Sequence, residues 1–298
     1  MKLSAFPRIS LRIIALLYLF VLVVVPVGLI FWRSFEHGIA QFWDWITTPA
    51  AISALQLSLL IVAIVVPLNV IFGVFTALAL VRGRFRGRGV MEAIVDLPFA
   101  VSPIVVGVAL ILLWGYGGWF GGLESTGFRV IFGLPGMVLA TLFVTLPFVV
   151  REVEPVLREI GTEQEEAAAT LGASGWQTFW RITLPAIRWG LSYGVVLTIA
   201  RALGEYGAVI IVSSNLPGVS QTLTLLVSSR YTDDYNEYGA YAAATLLMMI
   251  AIIVLLLMTF VGKRTDTNQL SRRSASKEAD AVVAPAEISP KTQESELV

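Results

Sequence analysis

The sequence has no cysteine and only one histidine, His37. A chain without cysteine forms no disulfide, carries no thiolate nucleophile and offers no Cys-ligated metal site. A single histidine is too few for the clusters that bind most catalytic metals. We interpret His37 as an interfacial loop residue, and we expect no metal site.

A nucleotide-binding loop is also missing. The only Gly-Lys pair, Gly262-Lys263, is followed by Arg264 and has no glycine-rich loop before it. The phosphate-binding pattern G-x-x-x-x-G-K-[ST] therefore does not occur. Glu92 and Asp96 are four residues apart, but no nucleophile or metal ligand accompanies them. We expect no catalytic residue and no cofactor bound by this chain, and we predict that it is not an enzyme.

Charged residues are scarce and apolar residues are abundant. They make up 14% and 56% of the chain, and a soluble protein cannot bury that much apolar surface. A transmembrane helix needs about 20 mainly apolar residues. Six stretches are of about this length: Leu11–Trp32, Ala54–Val81, Val90–Trp114, Leu134–Val150, Trp189–Ser213 and Tyr238–Gly262. The sequence predicts an all-α, polytopic membrane protein with about six transmembrane helices.

Basic residues indicate the orientation, because Lys and Arg concentrate in cytoplasmic loops. With the N-terminus in the cytoplasm, all but four of the 21 Lys and Arg residues fall on the inner side. The exceptions are Arg33, Arg129, Arg201 and Arg230. Four arginines after the second span are interpreted as an inner-face topology anchor: Arg82, Arg84, Arg86 and Arg88. We predict that both termini are cytoplasmic.

The chain divides into a transmembrane region, residues 1–262, and a polar tail, residues 263–298. The tail is polar, contains Ser, Glu, Lys and Pro, and shows no apolar period, so we expect it to be disordered. Aromatic residues within 35–48 predict a segment along the outer membrane interface. Residues 116–132 form a Gly-rich outer loop in this reading.

The longest inner segment, Arg151–Arg188, contains a short predicted helix that starts at Thr162. Thr162-Glu163-Gln164-Glu165 has the form of a capping box at its start. The helix then runs through three alanines, which expose little bulk and allow another protein to approach closely. We expect it to end at Gly172, because glycine adopts the left-handed C-cap conformation without penalty.

A second short helix is predicted in the same segment. Ser174-Gly175-Trp176-Gln177 forms another capping-box pattern. The aromatic residues Trp176, Phe179 and Trp180 are three and four residues apart, so they share one face. Leu184-Pro185 is expected to end this helix before the fifth span begins.

This segment resembles a known family in residue and spacing. Glu166-Ala167-Ala168, Gly172 and Ile182-x-Leu184-Pro185 match the pattern EAA-x3-G-x9-I-x-LP of ABC-importer permeases. The resemblance implies a type I permease fold in a bacterial inner membrane. It also implies a coupling helix that docks into a partner ATPase, which would bind ATP and Mg²⁺. The ATPase-coupling residues implied in this way are Glu165, Glu166, Ala167, Ala168, Gly172, Ile182, Leu184 and Pro185.

Other stretches resemble the sulfate/thiosulfate subgroup. Arg201–Ala208 (RALGEYGA) is similar to the RALGEFGA stretch of sulfate and molybdate permeases. Asp96–Pro103 and Leu134–Thr141 resemble the sulfate subgroup, and Asp234-Tyr235-Asn236 resembles its W-type subunit. The resemblance covers roughly residues 10–262. It implies a homologous T-type permease partner, two ATPase subunits and a periplasmic sulfate/thiosulfate-binding protein.

A translocation path or a subunit interface is expected at the broken or charged parts of the spans. Arg201 and Glu205 are four residues apart, which places them on one face of the fifth helix. They form either an intrahelical ion pair at a subunit interface or part of an anion route, because charge inside a membrane is costly. Pro98 and Pro103 are expected to break the third span, either for packing or to line a cavity with Ser102. Tyr206 belongs to the same candidate set.

Alternative functions remain open from the residues alone. A molybdate or tungstate permease is the nearest alternative, and a standalone secondary transporter is the main alternative of another class. The secondary transporter is disfavoured because no internal repeat is present and the EAA segment would have no purpose. A membrane-embedded enzyme is disfavoured because no Ser/His, two-Asp or metal constellation occurs.

Overall fold

A computed structural model describes residues 5–122, 127 and 129–256, with side chains from residue 11 onward. The predicted tail and the end of the sixth span up to Gly262 lie outside the described residues. The helices are α1 Ala5–Leu19, a π-helical turn Phe20–Val24, α2 Val25–Phe35, α3 Ile39–Ile46, α4 Pro49–Arg82, α5 Arg88–Ala100, α6 Pro103–Trp114, α7 Leu134–Ile160, α8 Glu163–Thr170, α9 Gly175–Thr178, a π-helical turn Phe179–Thr183, α10 Leu184–Leu203, α11 Gly207–Val212, α12 Leu223–Thr232 and α13 Glu237–Leu256.

Five helical stretches in the described part of the chain are long and apolar enough to cross a membrane: Leu11–Phe35, Pro49–Arg82, Leu134–Ile160, Gly175–Leu203 and Glu237–Leu256. The pair α5 and α6 is bent by 113° and makes a sixth crossing if it forms one span. Met91 of α5 packs in the cluster around Val153, near the end of α7. Trp114 of α6 packs in the cluster around Met137, near the start of α7. The two halves therefore pack toward opposite ends of α7, which favours one interrupted span, and the prediction of about six transmembrane helices is confirmed.

The central packing joins α4, α7 and α10. An added Cβ at Gly73 of α4 would lie 2.7 Å from Val149 Cβ, and one at Gly190 of α10 would lie 2.6 Å from the Glu152 carbonyl oxygen. These glycines therefore let both helices approach the α7 backbone closely, as small residues do in membrane helix pairs. The first span differs, because its side chains from Leu11 to Pro26 are exposed and can contact lipid or another subunit.

The third and fifth spans break differently from the prediction. Pro98 lies inside α5, which continues to Ala100, so the expectation of a break at Pro98 was wrong. The break falls at Val101 and Ser102, which are both extended, because the residue before a proline such as Pro103 is disfavoured in the α region. The prediction that the fifth span continues as one helix to Ser213 was also wrong.

The fifth span stops at Leu203, and α11 begins at Gly207. This second break lies beside the first, since an added Cβ at Gly207 would lie 3.1 Å from Pro103 Cβ. Four residues further on, an added Cβ at Gly107 of α6 would lie 2.6 Å from Ile211 Cβ. The half-helices α6 and α11 therefore run side by side from two adjacent breaks.

Candidate functional site

The α8 segment, defined as residues 161–174, connects α7 to α9. The capping box predicted at Thr162 does not form, which corrects that prediction. Thr162 has helical backbone angles (φ −107°, ψ −6°), whereas a capping residue is normally extended. Its hydroxyl donates instead to Glu166 Oε1 at 2.7 Å. Glu163, Glu165 and Glu166 occupy the first turn of α8, where the helix dipole favours negative charge.

The C-terminal end of α8 is capped at Gly172, as predicted. Gly172 has φ +85°, which L-residues with a side chain rarely adopt. The Ala173 amide donates to the Ala168 carbonyl and the Gly172 amide donates to the Ala169 carbonyl, both at 3.0 Å. These two bonds define a Schellman motif, which satisfies the last carbonyls of the helix.

The side chains of α8 lie at the surface of the protein. None of them is buried. Glu166 and Ala167 are exposed and Ala168 is partly buried. Leu171, directly after the helix, is 89% exposed. Short alanine side chains beside one exposed leucine make a surface that another protein can approach closely and on which it can bury apolar area.

The second predicted capping box is confirmed. The Gln177 amide donates to Ser174 Oγ at 3.4 Å, and the Ser174 amide donates to Gln177 Oε1 at 3.0 Å. The three aromatic residues Trp176, Phe179 and Trp180 contact one another, with ring centroids 5.5 to 6.2 Å apart. This confirms that they share a face.

The expected helix end at Leu184-Pro185 was wrong. Residues 175–203 form one continuous helical stretch, with Ile182 in the π-helical turn and Leu184 and Pro185 at the start of α10. A proline is tolerated there because the π-helical turn has already interrupted the regular hydrogen-bond pattern. Ile182 and Leu184 are half-buried and Pro185 is exposed.

Glu165 faces the transmembrane helices rather than solvent. Its carboxylate accepts hydrogen bonds from Arg82 Nε at 3.0 Å and from Thr183 Oγ1 at 2.9 Å. Arg82 also donates to the carbonyl oxygens of Leu157 at 3.2 Å and Gly161 at 2.6 Å. The interpretation of Arg82 as only a topology anchor was therefore incomplete, because its guanidinium connects α4, α7 and α8.

Further ion pairs connect α5 to α7 near the same end. Arg151 bonds to Asp96 with two nitrogens, and Arg158 lies 3.6 Å from Glu92. Arg88 donates to Glu92 at 3.2 Å. The two carboxylates that stand four apart in the sequence therefore hold helices together. Half-exposed pairs of this kind contribute roughly 0–1 kcal/mol each to stability.

Arg201 and Glu205 meet at the break between α10 and α11. Arg201 Nη1 lies 2.6 Å from Glu205 Oε2 and forms an ion pair with it. Glu205 Oε1 accepts a hydrogen bond from the Ala208 amide at 2.8 Å. The pair is not intrahelical, which corrects the expectation, because α10 ends before Glu205. The Glu205 carboxylate instead caps the start of α11.

A groove of about 600 Å³ opens beside this break. Its walls come from the end of α10, from α12 and from α13, and its polar groups are Tyr206, Thr224 and Ser228. The Tyr206 hydroxyl lies 3.1 Å from Ser228 Oγ, and Thr224 Oγ1 donates to the Glu205 carbonyl at 2.8 Å. The rest of the lining is apolar, with small alanines from α10 and α13.

The structure brings together part of the predicted path set. Arg201, Glu205 and Tyr206 lie at one break, and Ser102 is exposed next to Pro103, which packs near Gly207. Pro98 is half-buried about one helical turn earlier in α5. Sequence reasoning missed the contacts of Arg82, since nothing in its local pattern distinguishes it from Arg84, Arg86 and Arg88.

Known proteins are similar to this chain in sequence. Residues 69–267 match the model of the family described as binding-protein-dependent transport system inner membrane component. The sulfate transport system permease protein CysW of Synechococcus elongatus is 47% identical over 85% of this chain and 88% of its own length. The CysW of Escherichia coli K12 is 44% identical over 76% and 78%. A sulfate transport system permease protein CysT of Synechocystis is 34% identical over 84% and 86%.

Solved structures share the fold. A bacterial ABC transporter involved in the import of the acidic polysaccharide alginate matches with a TM-score of 0.71, over 87% of this chain and 96% of that chain, at 16% identity. The same type of transporter in complex with an alginate pentasaccharide-bound periplasmic protein matches with a TM-score of 0.70, over 87% and 95%, also at 16% identity. The family match and the sequence relatives show that the chain belongs to the inner-membrane permease family of binding-protein-dependent ABC importers.

Proposed function

We propose that this chain is the W-type permease subunit of an importer for sulfate or thiosulfate. The observation that supports the substrate class is the 47% identity to a sulfate transport system permease protein over 85% of the chain. The motif similarities at residues 96–103, 201–208 and 234–236 agree with it. The proposed partner is a T-type permease, because a CysT protein is also similar over most of this chain.

The α8 segment is the proposed docking site for an ATPase subunit. Its exposed Glu166, Ala167 and Leu171 offer a small, partly apolar surface, near Arg82 at the C-terminal end of α4. ATP and Mg²⁺ would bind to the ATPase, and closure of two such subunits would displace the α8 segments. A periplasmic binding protein would deliver the anion to the opposite side.

The proposed anion path passes the two adjacent helix breaks. Arg201 is one-third exposed, and Tyr206 and Ser102 are exposed. Broken helices of transporters commonly line substrate paths, because their free backbone groups and polar side chains replace water around the substrate. Arg201 supplies positive charge there, and the Glu205 carboxylate offsets part of that charge. The pair would therefore attract an anion weakly enough for the anion to be released.

Uptake of radiolabelled sulfate in cells lacking this gene tests the proposal. We expect uptake to fall to background in a strain without another sulfate importer, and to return with the gene. Unlabelled thiosulfate should compete with sulfate more strongly than molybdate does. Unchanged sulfate uptake in the deletion strain would contradict the substrate assignment, and lost molybdate uptake would point to the molybdate alternative.

The coupling role is tested in the restored strain with two variants of the α8 segment. Glu166→Lys reverses an exposed charge, and Gly172→Asp places a side chain at φ +85°. Both should abolish uptake while the protein still inserts into the membrane. Glu159→Lys is the matched control, because Glu159 is an exposed carboxylate of α7 outside the α8 segment. Normal uptake with both test variants would show that the segment does not couple transport to ATP.

A further inference from the structure

The α8 segment is held to the transmembrane helices by polar contacts rather than by apolar packing. No side chain of α8 is buried. Among the described residues, the side-chain hydrogen bonds that join α8 to α4 or to the π-helical turn all involve Glu165. The other side-chain bonds of α8, made by Glu166 and Thr170, stay within the segment.

An open cavity lies between α8, α4 and the π-helical turn. It measures about 350 Å³ and is lined by Leu78 of α4, Glu165 and Ala169 of α8, and Phe179 and Thr183 of the π-helical turn. A helix with a cavity on its inner face has few van der Waals contacts there. Its position then depends on the few bonds that cross the gap.

Arg82 makes two of these bonds and two more to backbone carbonyls at the same time. Its Nε and Nη2 bond to the Glu165 carboxylate at 3.0 and 3.4 Å. Its Nη1 and Nη2 bond to the carbonyl oxygens of Leu157 and Gly161. A guanidinium suits this role because it is always charged and presents five N–H donors in a fixed plane. The last carbonyls of α7 also carry negative partial charge that a cation stabilises.

We propose that Arg82 is a positioning residue that makes α4, the end of α7 and α8 move as one unit. The inference rests on the proposed function, since the movement that matters is displacement of α8 by an ATPase. With Arg82 in place, displacement of α8 moves α4 and α7, and through them the helix breaks. Without Arg82, α8 tilts into the cavity and the transmembrane helices stay where they are.

The measurement is the number of ATP molecules hydrolysed per anion transported by the complete importer in proteoliposomes. Loss of even one charge-assisted hydrogen bond shifts an equilibrium by about tenfold or more. Arg82→Ala removes all four bonds of Arg82, so we expect it to raise this ratio by at least about tenfold. A variant that only lowers the amount of folded importer reduces hydrolysis and transport together and leaves the ratio unchanged. Arg84→Ala is the matched control, since Arg84 is an exposed arginine two residues further on.

Glu165→Gln provides the second variant. It keeps the shape and hydrogen-bonding capacity of the side chain but removes its charge, and Glu159→Gln is its control. We expect Glu165→Gln to raise the ratio less than Arg82→Ala, and the double variant to resemble Arg82→Ala alone, because both changes break one connection. Additive effects of the two changes, or wild-type ratios in both single variants, would overturn the inference.

A spin label reports on the position of α8 directly. The chain has no cysteine, so Gln164→Cys, exposed on α8, gives one labelling site in this subunit. In the importer we expect Arg82→Ala to broaden the mobility of the label and Arg84→Ala to leave it unchanged. Identical spectra for wild type and Arg82→Ala would also overturn the inference. This comparison decides the question if Arg82→Ala assembles too poorly for its transport to be measured. If Glu166→Lys and Gly172→Asp leave uptake normal, the proposed coupling function fails instead, whatever Arg82 does.

Discussion

Single charged residues in this chain differ greatly in what they contact. The sequence places Arg230 in an outer loop, yet only 6% of its surface is exposed. Its guanidinium donates to the carbonyl oxygens of Gly239 at 2.9 Å and Trp45 at 3.0 Å, and to Thr48 Oγ1 at 2.7 Å. Burial lowers the pKa of Arg230 below its usual value, because the charged form loses solvation. The three acceptors offset part of that loss.

Arg230→Met should therefore destabilise the protein. The variant fills similar space but leaves these buried acceptors without their donor, which costs about 2–4 kcal/mol. For a domain of this size that corresponds to a fall in the thermal unfolding midpoint of roughly 5–10 °C. The midpoint is measured on the purified importer in one detergent. Arg129→Met is the control, since Arg129 is exposed, and equal midpoints for the two variants would refute the prediction.

At the scale of elements, the close approach of α6 and α11 keeps the two helix breaks adjacent. Gly107 permits this approach, because an added Cβ would lie 2.6 Å from Ile211 Cβ and 2.9 Å from the Ala208 carbonyl oxygen. The oxygen belongs to the backbone and cannot move aside as a flexible side chain can. The half-helices must separate if any larger residue replaces Gly107.

Gly107→Ala should lower the free energy of unfolding by about 1–3 kcal/mol, the usual cost of forcing an extra group into a packed interface. Gly89→Ala in α5 is the matched control, because nothing lies within 4 Å of an added Cβ there. That change should stabilise helix α5 by about 0.5–1 kcal/mol. Opposite shifts of the unfolding midpoint are expected, and a rise for Gly107→Ala would contradict the packing described above.

Helix ends were predictable from the sequence only where the determinants are local. The Ser174 capping box and the Gly172 C-cap involve residues within a few positions of each other, and both are confirmed. The break of the fifth span was missed because it depends on Glu205, whose carboxylate bonds the Ala208 amide and whose backbone carbonyl accepts from Thr224 of α12. That second contact joins residues 19 positions apart, which no local pattern reveals.

For the whole molecule, the bent pair α5 and α6 decides the topology. If it crosses the membrane as one span, the chain has six spans and its termini lie on the same side. If it enters and leaves on one side, the five continuous spans place the termini on opposite sides. Its packing against both ends of α7 favours the crossing.

Reporter fusions test this topology. Green fluorescent protein fused to the C-terminus should fluoresce, and alkaline phosphatase fused there should be inactive, because both termini are expected in the cytoplasm. Alkaline phosphatase inserted after Gly117, between α6 and α7, should be active. An active phosphatase at the C-terminus would contradict six spans, while phosphatase inserted after Arg84, in the expected cytoplasmic stretch, serves as the inactive control.

The sequence by itself determined the class of protein, the apolar stretches of membrane-spanning length and the position of the α8 segment. The first two follow from the abundance and length of the apolar stretches, and the third follows from a motif whose residues are close along the chain. Only the tertiary structure decided which of four neighbouring arginines contacts Glu165, where the third and fifth spans break, and that Arg230 is buried. Those features depend on side chains from helices far apart in sequence, such as Arg82 and Glu165, 83 positions apart. The hydrogen bonds that stabilise these features form only when the helices pack. Such bonds contribute most to stability where water is excluded from the bonded groups.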